Sequence, residues 1–114
     1  MLFQPDDFQG DWYGWLTNQA AHVLLGMGIF AAVSLLFSHI SKRPHEMALI
    51  ISAFGYGFFE YLQGGTFIDS VADWAFVMSG AFFAVAAWHM RRNIMAGLVV
   101  SVGALLVVGV WRRK

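Results

Sequence analysis

A small set of side chains able to carry protons or grip a polar ligand stands out in this sequence: His22, Glu60, Gln63, Asp69 and Asp73. Glu60 and Gln63 are spaced i and i+3, and Asp69 and Asp73 are spaced i and i+4, so each pair shares one face of a helix. All five sit at the borders of long apolar runs. An ionisable group inside such a run costs ~2.5–3.5 kcal/mol near mid-membrane, so each one needs a partner or a purpose. Glu60 falls in what would be the last turn of its helix, where the macrodipole disfavours a fixed negative charge. A carboxylate there suits a general acid or base, with Gln63 orienting it, His22 as a second proton carrier and Asp73 as a ligand for a cation or a substrate hydroxyl. Purely structural roles compete with these. Gln63 could simply hold Glu60, Asp69 could cap a helix, and His22 could donate an interhelical hydrogen bond.

Other chemistries are absent. The chain has no Cys, which removes disulfides, thiolate metal sites and cysteine nucleophiles. It has no nucleophile elbow, Walker loop or dinucleotide glycine motif. His22, Glu60, Asp69 and Asp73 offer imidazole and hard oxygen donors, but no contiguous ligand motif joins them, so neither a metal nor a cofactor is expected. The formal net charge of zero leaves no basic field for nucleic acid.

The elements that must position these groups are membrane helices. The chain of 114 residues is 59% hydrophobic and only 12% charged, about half the charge of a soluble domain, which is roughly 25%. Mean hydropathy is +0.62. Four apolar runs, 19–37, 47–62, 71–88 and 94–111, are each roughly 24–29 Å long as helices, close to the ~30 Å hydrocarbon core. Lipid leaves no partner for an unpaired backbone group, so the runs read as helices. The second is the shortest, and three spans with a re-entrant piece is the alternative.

The breaks are local. Pro44 stops a helix within Ser41–Glu46, Gly64 and Gly65 follow the second run, Asp69 and Ser70 are placed to cap the third, and Arg91-Arg92-Asn93 makes a tight last connection. Residues 1–18 mix aromatic and acidic side chains and read as a short interfacial amphipathic helix; residues 19–114 form one transmembrane domain. Pairs of small residues, Gly28/Ala32, Ala53/Gly57, Gly80/Ala84 and Gly97/Ser101, permit close helix packing, within the chain more readily than in a homo-oligomer.

Lys42 and Arg43 mark one loop and Arg91 and Arg92 another, so the positive-inside rule puts both in the cytoplasm and the N-terminus outside. His22, Glu60, Gln63, Asp69 and Asp73 then share one depth near the outer surface. The C-terminal Arg112-Arg113-Lys114 also falls outside if all four runs span, against the rule. There Arg112 and Arg113 could hold an anionic lipid headgroup.

The order Asn18-Gln19-Ala20-Ala21-His22, Glu60-Tyr61-Leu62-Gln63, then Asp69 and Asp73 ahead of Gly80, resembles the VanZ-like family of small bacterial membrane proteins. His22, Glu60, Gln63, Asp73 and Gly80 match its pattern over roughly residues 18–88. Asn18-Gln19 replaces an Asp-Lys pair, Val77 replaces an Asn, and an Arg expected near Gly65 or Thr66 is missing. The resemblance implies a cell-envelope role, associated with resistance to the glycopeptide teicoplanin.

The expectation is therefore an all-α, polytopic four-helix bundle of the inner or plasma membrane, with an N-terminal interfacial helix. It binds or modifies a lipid-linked or headgroup substrate at the outer leaflet, with Glu60, His22 and Asp73 as catalytic groups and Gln63, Asp69, Arg112 and Arg113 binding substrate. The competing class is a phage-type holin, a small self-associating membrane protein with no active site.

Overall fold

All four helices begin upstream of where hydropathy alone starts them, the first and third at polar residues whose side chains satisfy free N–H groups. The computed structural model describes residues 10–114. They form α1 (Trp12–Phe37), α2 (Pro44–Gln63), α3 (Phe67–Trp88) and α4 (Arg92–Arg113), with no strand among the described residues. Asp11 caps α1, its Oδ1 accepting from Gly14 N at 2.9 Å. Residues 12–18 are thus the first turns of α1, continuous with the apolar run, rather than a separate interfacial helix; residues 1–9 of that expected segment lie outside the described residues. Pro44 opens α2, where its missing N–H and fixed φ suit the first turn.

The cap of α3 is Thr66, not Asp69 or Ser70. Thr66 Oγ1 accepts from Asp69 N at 3.2 Å and donates to Asp69 Oδ2 at 2.7 Å, so Asp69 is the acidic partner within the first turn. Gly64 and Gly65 end α2 with φ of 79° and 93°, a left-handed backbone that glycine adopts without penalty. The α3–α4 turn uses Met90 instead, at φ 54°. Met90 N donates to Ala87 O and Arg91 N to Ala86 O, the paired bonds that close a helix end of this kind.

α1 and α3 lie along one another. α2 fills the groove on one side of this pair and α4 the groove on the other, and α2 and α4 do not meet. The result is a flat bundle of 46 × 33 × 16 Å. Successive helices run in opposite directions. Phe30 late in α1 stacks on His45 early in α2 at 5.7 Å, and Trp88 at the end of α3 lies 5.3 Å from the same ring. At the opposite end, the start of α1 meets the end of α4 where Arg113 stacks on Trp15. His45, expected to be solvated in the loop, is instead half-buried in this aromatic cluster, 3.4 Å from Ser34 Oγ; His39 is exposed.

Glycine sets the spacing of the central pair. A Cβ on Gly26 would run into the Val77 carbonyl, and one on Gly80 into the Val23 carbonyl, so the two backbones touch at two points. Lipid tails supply no hydrophobic drive between helices, and close packing of this kind takes its place. Of the small-residue pairs, Gly80/Ala84 lies on this contact, and Ala53/Gly57 faces Trp74, whose Nε1 donates to Ala53 O at 2.8 Å. Gly28 and Gly97 have nothing within 4 Å of a built Cβ.

α1, α3 and α4 are each long and apolar enough to cross a membrane. α2, with 20 residues, is long enough at ~1.5 Å per residue but carries Glu46, Glu60 and Gln63. Their outward side chains, such as Leu35, Phe54, Val100 and Val107, are exposed and apolar, as lipid requires.

Candidate functional site

Because successive helices alternate in direction, the starts of α1 and α3 and the end of α2 come to one end of the bundle. His22, Asp73 and Glu60 are delivered there by three different helices. One ligand atom from each lies within 4.8 Å of the other two. Glu60 is 5% exposed, and the His22 and Asp73 side chains are 15% and 26% exposed. Among the described residues, neither carboxylate has a Lys or Arg within ion-pair distance.

Each of the three is held by a second group. His22 Nδ1 lies 2.7 Å from the Asn18 carbonyl oxygen. A carbonyl can only accept, so Nδ1 carries a proton, and Nε2 faces Asp73, with Oδ2 at 3.8 Å. Gln19 Nε2 donates to Asp73 Oδ1 at 3.3 Å. Tyr56 donates to Glu60 Oε1 at 2.5 Å, the length of a charge-assisted O–H···O⁻ bond. The His22 and Tyr56 rings meet edge to face, 6.3 Å between centroids.

Glu60 also looks the other way. It is the one carboxylate lining a half-open cavity of ≈ 480 Å³ between α2 and α3, whose walls include Gly57, Tyr61, Phe67 and Trp74. The carboxylate thus joins a mostly apolar, half-open cavity to a buried polar group.

The remaining expected residues sit elsewhere. Gln63 is the last residue of α2 and is exposed; the hydrogen bond expected from it to Glu60 comes from Tyr56, while Gln19 holds Asp73. Asp69 is engaged with Thr66 at the cap of α3. Arg112 is exposed, whereas Arg113 is 5% exposed, with its guanidinium 4.4 Å from the centroid of the Trp15 ring and Nη1 donating to Gly109 O at 3.0 Å. Both arginines lie at the site's end of the bundle, but Arg113 packs the α1–α4 seam. Gln19 and Tyr56 were missed, although spacing marks them: Gln19 is three residues before His22 and Tyr56 four before Glu60.

Fold and site together define a helical integral membrane protein with a buried imidazole–dicarboxylate group at one end of the bundle. No protein family, curated sequence or solved structure matches the chain.

Proposed function

We propose that this is a VanZ-like protein of the cell envelope that binds or modifies the headgroup of a lipid or lipid-linked substrate at the outer leaflet. The observation that carries the reading is Glu60, buried and oriented by Tyr56, yet lining a half-open, mostly apolar cavity between α2 and α3. An apolar cavity walled by two helices of the bundle suits a lipid tail, with the headgroup placed at Glu60. Glu60 serves as acid or base, His22 as second proton carrier and Asp73 as acceptor for a substrate hydroxyl. Arg112, at the same end of the bundle, favours an anionic headgroup.

Lipid retention tests this. Protein prepared from host membranes is expected to carry a headgroup-specific lipid adduct in native mass spectrometry. Asp73→Asn keeps the shape of the side chain but removes its charge. It is expected to weaken retention ~10-fold, the loss of one hydrogen bond to a charged group. Equal adducts on both proteins would leave the site without a ligand role. Abrupt permeabilisation of expressing cells at a set time, with no adduct, would favour a holin instead.

Orientation is tested separately. A cysteine at Gly64 is expected to react with an impermeant thiol reagent from outside the cell, and one at Ser41 only after the cells are opened. The reverse pattern would move the site to the cytoplasmic leaflet.

A further inference from the structure

We infer that His22, Glu60 and Asp73, with the Gln19 amide, form a binding site for one divalent transition-metal cation of the zinc or manganese kind. The inference does not depend on the lipid reading. It rests on four observations at one place.

The first is distance. Three atoms no more than 4.8 Å apart leave a point at most ~2.8 Å from each, against the ~2.0–2.2 Å of zinc to imidazole nitrogen or carboxylate oxygen. The difference, ~0.6–0.8 Å per ligand, is of the size that side-chain rotation covers. The second is ring orientation. With Nδ1 bonded to the Asn18 carbonyl, Nε2 is the nitrogen that faces the site, and metal binding there displaces any proton it carries.

The third is charge. Two ionised carboxylates supply −2, which a divalent ion cancels, and no described Lys or Arg side chain lies within ion-pair distance of either. Ionised carboxylates this close repel one another, and a bound cation removes that repulsion. The fourth is an orphan. Gln19 is 4% exposed, and while its Nε2 bonds Asp73, its Oε1 has no hydrogen-bond partner. That oxygen is a ready fourth ligand or an acceptor for a metal-bound water. The outer contacts fit as well, since each proposed ligand is hydrogen-bonded by a second group, as metal ligands generally are.

The donor set selects the ion. One imidazole with two carboxylates and no thiolate favours zinc or manganese over soft ions, and the imidazole disfavours magnesium and calcium. The sequence offers these donors but no contiguous ligand motif, because the three ligands come from three helices.

Chelator-treated protein in detergent, without added lipid, is titrated with zinc chloride by calorimetry. One ion per chain is expected. His22→Gln, Glu60→Gln and Asp73→Asn are each expected to lower the affinity ~100-fold, and Gln19→Leu ~10-fold. His45→Gln with His89→Gln, at the far end of the bundle, is expected to leave it unchanged. Manganese bound to the unaltered protein provides a readout that needs no variant: pulsed electron paramagnetic resonance is expected to show coupling to a single imidazole nitrogen. Absence of saturable one-to-one binding, or binding that follows His45 and His89 instead of His22, overturns the inference. Because lipid is left out, failure here would leave the headgroup reading standing, and failure of lipid retention would leave this one.

Discussion

Glu60→Gln is expected to abolish headgroup-lipid retention while the protein folds and inserts normally. Glutamine has nearly the shape of glutamate, and its carbonyl oxygen can still accept the Tyr56 hydroxyl, so the buried hydrogen bond survives in neutral form. What disappears is the charge and the ability to take and return a proton. A hydrogen bond to a charged group is worth ~1.5–3 kcal/mol, or roughly 10–150-fold in affinity. If a proton transfer is also involved, turnover falls by a further ~10²–10⁴-fold. Tyr56→Phe is the informative companion. It leaves the carboxylate in place without its donor, so retention is expected to drop only ~10-fold, while the melting temperature falls by more than in Glu60→Gln. Equal and small effects of both changes would reduce Glu60 to a packed side chain.

The lipid-facing part of this fold was legible in the sequence because hydropathy reports the ends that matter to lipid. The expected first and third runs stop at Phe37 and Trp88, as α1 and α3 do, and Gly64 and Gly65 end α2 as glycines should. The starts were less legible for a physical reason. A helix N-terminus attracts polar and acidic side chains to its free N–H groups, so Asp11, Pro44 and Thr66 lower hydropathy in the very turns they nucleate. A hydropathy window therefore excludes the first turn, and residues 12–18 were separated from a helix to which they belong.

The site was legible in depth but not in direction. Helix direction places His22, Glu60 and Asp73 at one level, and no more than alternation of the helices is needed for that. Which residues on each helix turn inward depends on the flat arrangement, with α2 lying in the α1–α3 groove. That arrangement turns Gln19 and Tyr56 inward and leaves Gln63, at the open end of α2, exposed. The tail is similar. An exposed Arg113 would be worth ~0–1 kcal/mol in stability, but against Trp15 and the Gly109 carbonyl it becomes part of the seam between α1 and α4.

The contact between α1 and α3 holds all of this in place, and its glycines are expected to be the most sensitive positions for folding. Gly26 lies four residues after His22, and Gly80 seven after Asp73, so both are on or near the faces that carry the site. At each, the atom a new Cβ would strike is a backbone carbonyl, of Val77 or of Val23, which cannot swing aside as a side chain can. Even alanine must push the helices apart. Overpacking of this kind costs ~1–3 kcal/mol and occasionally more, which for a chain of this size lowers the melting temperature by ~5–15 °C. Gly80→Ala and Gly26→Ala are expected to fall in that range, and Gly80→Leu to give mainly aggregate. Gly28→Ala and Gly97→Ala meet open space and replace a poor helix former, so they are expected to be neutral or to raise stability by up to ~1 kcal/mol. Thermal melts of the four alanine variants in one detergent test this, and an equal response at all four would show that the backbones are not in contact. Gly80→Ala makes a further demand on the site. Separating α1 from α3 lengthens the 3.8 Å approach of His22 to Asp73, so the variant is expected to bind zinc more weakly although no ligand has been altered.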